Sequence, residues 1–121
     1  MKKVILASVL AVSAVSAHSA ATQVFCSGTA GNATAAALST VTTENFVKST
    51  FTAKCSANTH VTGEDGGSYY RVGSGSIKGK TAYAGTSAGG AVVSAGPCGA
   101  ATGCAVSDAT TAMQSTYAPT S

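Results

Sequence analysis

The sequence predicts a mainly β protein: a small antiparallel β-sandwich or partly open barrel, disulfide-stapled, with one short C-terminal helix. Three observations carry this. Short alternating segments recur, parted by glycine-rich turns roughly every 8–12 residues. Four cysteines stand in a chain of 121 residues that has no Trp, three Phe and four Tyr. The N-terminus reads as an export signal, which places those cysteines where disulfides persist.

Met1, Lys2 and Lys3 form a basic start, residues 4–15 an apolar run, and Ser16-Ala17-His18-Ser19-Ala20-Ala21 a small-residue exit. That order is the signature of a secretory signal peptide. The apolar run falls short of the ~20 residues that a membrane-spanning helix needs. Cleavage fits after Ala17 or Ala21, and less well after Ala20, which would put His18 three places before the cut. Ala21 is preferred because it leaves a polar spacer behind the apolar run. The expected organisation is a signal peptide over residues 1–21 and a single secreted β-rich domain over residues 22–121. The periplasm, the cell surface or the extracellular space is the expected location. The membrane is met only through the signal peptide, before cleavage.

Along the mature chain, Thr22-Gln23-Val24-Phe25-Cys26 alternates and reads as a strand. Residues 33–38 could form a helical turn or a loop. Residues 45–55 give the clearest strand: Val47, Ser49, Phe51, Ala53 and Cys55 share one face, and Lys48, Thr50, Thr52 and Lys54 the other. Residues 58–62 form a second short strand, and Gly63-Glu64-Asp65-Gly66-Gly67 a solvated turn. Residues 69–72 are strand formers, interrupted by Gly73-Ser74-Gly75 as by a bulge or tight connection. Residues 76–84 alternate again, residues 85–90 turn, and residues 91–94 make a short strand. Ser107 can cap a helix over residues 108–116, with Asp108 in its first turn and Ala109, Ala112 and Met113 as its apolar face. No repeat of fixed period is visible.

Ala, Gly, Ser and Thr supply more than half of the mature residues. Such a chain buries little apolar area, so at about 25 cal/mol per Å² its core barely offsets chain entropy. Disulfides are the expected remedy. Cys26, Cys55, Cys98 and Cys104 allow three pairings, of which Cys26–Cys55 and Cys98–Cys104 are expected. The second encloses a flexible Gly99-Ala100-Ala101-Thr102-Gly103 loop. The set contains no Cys-x-x-Cys, and His60 is the only mature histidine, so no metal, haem or other cofactor is expected.

Losing Lys2 and Lys3 lowers the net charge from +3 to +1. Lys78 and Lys80 make no cluster, so no nucleic-acid partner is expected. Gly85-Thr86-Ser87-Ala88-Gly89 matches a nucleophile elbow, but the helix that must follow the serine is missing and His60 is the only base on offer. Ser87 is therefore read as a turn residue, and no catalytic residue is assigned. Glu64 and Asp65 are too few carboxylates for a calcium site. Asn32-Ala33-Thr34 fits a glycosylation acceptor pattern. Thr40-Val41-Thr42 and Thr50-Phe51-Thr52 place hydroxyls on strand faces, without the flat array an ice-binding surface needs.

The contact residues expected from pattern are Thr22, Gln23, Val24 and Phe25, whose segment could pair within its own domain or with a neighbour's edge. Tyr69, Tyr70 and Arg71 join them, as types favoured at interfaces, with one tyrosine facing the core. In composition and layout the chain is similar to small exported, disulfide-stapled β subunits of bacterial surface structures. The expected function is a structural or interaction protein, a subunit of a surface or extracellular assembly such as a filament, pilus-like fibre or matrix. It would self-associate or join another surface protein. The alternative is a monomeric binding module for a small ligand or a partner protein. An enzyme is not expected, because acids, bases and histidines are scarce.

Overall fold

The computed structural model describes residues 20–33 and 43–116. Residues 1–19, which hold most of the expected signal peptide, lie outside the described residues, as do Thr40-Val41-Thr42 and all of residues 33–38 except Ala33. The strands are β1 (Ala21–Ser27), β2 (Gly31–Asn32), β3 (Lys54–Cys55), β4 (Thr59–Asp65), β5 (Tyr70–Ser76), β6 (Thr81–Thr86) and β7 (Val93–Pro97). One helix, α1 (Val106–Ser115), follows them.

Five strands form one antiparallel sheet in the order β1-β4-β5-β6-β7, and β2 pairs with β3 in a separate ribbon. The last four strands of the sheet are a meander. β1 reaches β4 from the N-terminal side, and the chain between them leaves the sheet to make the ribbon. The sheet stays open, with β1 and β7 as its two edges, and does not close into a barrel. Both expected disulfides are present, Cys26–Cys55 and Cys98–Cys104, and no cysteine is free. The first ties β1 to β3, so it fastens the ribbon to the sheet.

Helix α1 covers one face of the sheet. Ala109, Ala112 and Met113 are buried there, with Ala82 and Ala84 of β6 beneath them. Small residues on both sides let the helix lie close. Gly73 is the nearest point: a Cβ there would stand 2.0 Å from the Ala109 carbonyl oxygen. A Cβ on Gly75 would stand 2.7 Å from the Cys104 Cβ. The expected interruption at Gly73-Ser74-Gly75 is therefore absent. β5 runs straight through, and its glycines serve the helix rather than a bulge.

The helix also starts earlier than expected. Its N-cap is Ala105, not Ser107. The Asp108 carboxylate reaches back and accepts from the N–H of Ala105 at 2.7 Å and of Gly99 at 3.0 Å. One side chain thus caps the helix and pins the Cys98–Cys104 loop.

The largest departure concerns residues 45–55. Only Lys54–Cys55 is strand. The N–H groups of Phe46 and Val47, which a ladder would need, instead donate to the Asp65 carboxylate, each at 2.9 Å. The N–H of Gly67 donates to the same carboxylate at 2.9 Å. Residues 43–53 become a strap along the sheet, and Phe51 stacks on Phe25 with ring centroids 6.4 Å apart. The solvated turn expected over residues 63–67 shifts accordingly. β4 continues through Glu64 and Asp65, both buried, and the chain reverses at residues 66–69.

Candidate functional site

Alternation sorts the faces of β5 and β6. Gly73 and Gly75 lie against the helix side, so Tyr70, Val72 and Ser74 face away from it. Tyr83 and Gly85 stand opposite Ser74 and Val72. Near β1 this second face is covered: Phe25, Val61 and Tyr70 pack with Ala33, Ala53 and Cys55. Over β5 and β6 it is open. The chain after β6 turns at residues 87–90 and comes back along the sheet, where Val92 reaches over Gly85. A Cβ on Gly85 would lie 3.4 Å from the Val92 Cγ2.

The result is a groove of about 390 Å³, floored by Val72, Ser74, Tyr83 and Gly85 and lipped by Thr86, Ser87 and Val92. Its size falls within the ~300–1,000 Å³ usual for binding pockets. Tyr83 is 46 % exposed and Val92 72 % exposed, so both hold apolar surface in water. No charged residue occurs between Lys80 and Asp108, and none lines the groove. Its polar edges are hydroxyls. Such a surface favours a neutral, partly apolar partner, because a charged one would be desolvated without compensation.

Ser87 sits at the lip and is held as a turn residue. Its N–H donates to the Tyr70 carbonyl at 2.8 Å, and its Oγ accepts from the Tyr70 N–H at 2.8 Å. Tyr70 pairs with Asp65 at one end of β4, whereas His60 pairs with Gly75 near the other end. Serine and histidine therefore stand far apart on the sheet. His60 is buried, and its Nδ1 has no hydrogen-bond partner. Among the described residues, no group of three or more His, Cys, Asp or Glu side chains could hold a metal ion. None of the described helices is long and apolar enough to cross a membrane.

The expected contact residues divide. Phe25 is 4 % exposed and belongs to the core, which removes it from any contact surface. Thr22 and Val24 are exposed and Gln23 is half-buried, and all three lie in a strand paired within its own sheet to β4. The Tyr69-Tyr70-Arg71 run is split three ways. Tyr70 faces the covered side and the groove. Burial, with the Asp65 carboxylate adding to it, pushes its hydroxyl up to about 12. Arg71 Nε donates to Glu64 Oε2, and Arg71 Nη1 donates to the carbonyls of Gln114 and Thr116, each at 3.3 Å. Arg71 is thus spent on the C-terminal end of α1. Tyr69 Oη donates to Glu64 Oε2 at 3.3 Å, and the Arg71 guanidinium lies 5.7 Å from the Tyr69 ring centroid. Desolvation first, and the Glu64 charge second, raise the Tyr69 hydroxyl above its usual range.

Sequence reasoning missed the groove because its lip joins Thr86 and Ser87, read as turn residues, to Val92, read as part of a strand. The charge-free stretch over residues 81–107 was a readable signal. Comparison with known protein families, characterised proteins and solved structures finds no match to this chain.

Proposed function

We propose that this chain is an exported interaction subunit that associates through the open half of its sheet, as part of a surface or extracellular assembly. One observation carries the reading: an uncharged sheet surface, with Tyr83 and Val92 in water beside a free strand edge. Exposed apolar side chains beside an unpaired strand edge fit a surface that a partner covers. Two disulfides and the absence of a free cysteine support an oxidising compartment. The reading is non-catalytic, and it is supported by the latching of Ser87 to Tyr70 and by the distance of His60 from it along the sheet.

Residues 22–121, purified from an oxidising compartment, should show concentration-dependent association in light scattering coupled to size exclusion, with assemblies visible by negative stain. A strictly monomeric protein at millimolar concentration would overturn the reading. The groove of about 390 Å³ favours a second reading, a binding module for a neutral small ligand. That reading gains if the monomer is stable and tyrosine fluorescence responds to a neutral ligand but not to its charged analogues.

A further inference from the structure

We propose that the open sheet face binds an uncharged amphiphile with a polyhydroxyl head, such as an alkyl glycoside. Its apolar body lies in the groove and its head in an adjoining hollow beyond Tyr83. The proposal rests on the second reading above, a binding module, and names the class of ligand.

The groove does not end at Tyr83. A second hollow of about 280 Å³ continues from it, and the two share Ser74 and Tyr83 in their walls. Alone, that hollow falls just short of the ~300–1,000 Å³ usual for a ligand pocket, as fits an extension of the groove. The chemistry changes across Tyr83. On one side stand Val72 and Val92, and on the other Thr59, Ser76 and Thr81. Ser76 Oγ accepts from the Lys78 N–H at 3.2 Å and keeps its own proton to give. Thr59 Oγ1 donates to the Ala57 carbonyl at 3.5 Å and keeps lone pairs to accept. The hollow thus both donates and accepts, as the hydroxyls of a polyol do. Tyr83, 46 % exposed between the two halves, offers aromatic surface to the C–H groups of body and head alike.

Other occupants fit this face less well. A peptide laid across it would lack partners for its amides, because β5 and β6 are each paired on both sides and their backbone groups are spent. A wholly apolar ligand would strip water from the half-buried Ser74 and Thr81 hydroxyls and give nothing back. An anionic head would meet a single cation among the described residues that line the hollow, Lys80, which is exposed and stays hydrated. An uncharged polyol head leaves that ammonium in water and still satisfies the hydroxyls.

The test is an NMR titration of the oxidised, exported protein with octyl glucoside below its micellar concentration, set against 1-octanol, glucose and octanoate. Shifts should centre on Ser74, Thr81, Tyr83 and Val92, and octyl glucoside should bind at least ~10-fold tighter than each of the other three probes. Thr81→Val keeps the branched strand residue and removes the hydroxyl. It should weaken octyl glucoside by about 3–10-fold, the loss of one neutral hydrogen bond, and leave 1-octanol unchanged. A melt close to wild type verifies its fold. If 1-octanol matches octyl glucoside, or if Thr81→Val affects the two probes equally, the head hollow is overturned and the module reading stands. Glucose binding as tightly as the glycoside would overturn the apolar half, and octanoate binding more tightly would overturn the uncharged head. No response to any neutral probe would overturn both the proposal and the module reading.

Discussion

At Gly73 one methyl group decides whether the helix can reach the sheet. The Cβ of an alanine there would sit 2.0 Å from the Ala109 carbonyl oxygen and 2.7 Å from the Met113 nitrogen, both backbone atoms that cannot swing aside. Gly73→Ala should therefore cost about 3 kcal/mol or more in urea unfolding, the upper end of overpacking effects. Gly85→Ala meets only the Val92 side chain at 3.4 Å, and its cost should stay below about 1 kcal/mol. Equal losses at the two sites would show that the helix does not lie where β5 requires. Tyr70 gives a second residue-level expectation. Its folded hydroxyl is raised to about 12, above the value near 10 of an unfolded tyrosine. The folded state then holds the proton more tightly. The stability this contributes is complete below about pH 10 and is lost as pH rises through about 12. Urea midpoints should fall over that window, and Tyr70→Phe should flatten the fall. An unchanged slope in the variant would mean that another group, such as Tyr69, governs the alkaline limb.

Among the elements, α1 depends on a single acidic side chain. The N–H groups of Ala105 and Gly99, in that order, hold the Asp108 carboxyl below its usual range. A carboxyl lowered by folding contributes stability that is present above its unfolded value, near 3.9, and is lost as pH falls below it. Asp108→Ala should lower the melting temperature at neutral pH, and wild type and variant should converge as the solution is acidified well below the unfolded value near 3.9. A gap that persists in acid would assign the effect to packing instead of the cap. The helix also shows what sequence could and could not reveal. Its apolar face of Ala109, Ala112 and Met113 was legible, because helical spacing depends only on the segment itself. Its cap was not, because Ser107 looks like a capping residue locally while Asp108 reaches both Ala105 and Gly99. The same contrast runs through the strands. β1 follows from alternation, but the alternation of residues 76–84 misplaces β6: Ser76 ends β5, residues 77–80 turn, and the strand runs from Thr81 through Thr86 into the expected turn, while β7 starts at Val93 and runs to Pro97. Residues 45–55 alternate as well as any segment in the chain, yet the amides of Phe46 and Val47 go to Asp65, a partner about twenty positions away that no local pattern reveals. Of the groove, Tyr83 and the lack of charge were readable, while the return of Val92 over Gly85 required the fold.

For the molecule as a whole, the question is what replaces a large core. Phe25, Cys26 and a handful of alanines, with Met113, make up most of the buried apolar side chains. Burial on that scale leaves the net balance close to zero, so covalent ties have to supply much of the margin. Cys26–Cys55 spans 29 positions, and loop-closure entropy gives it about 3.5 kcal/mol; Cys98–Cys104 spans 6, worth about 2 kcal/mol. Together they rival the ~5–15 kcal/mol total of an ordinary domain. Their positions differ as well. The longer link joins β1 to the ribbon and holds the strap over Phe25, whereas the shorter one only shapes the approach to α1. Replacing Cys26 and Cys55 together by serine should therefore lower the urea midpoint more than replacing Cys98 and Cys104. Full reduction should leave the chain largely unfolded at room temperature by circular dichroism. If the reduced protein kept its midpoint, the strap, the helix and the small core would have to hold the sheet alone, and the two disulfides would lose their structural rationale.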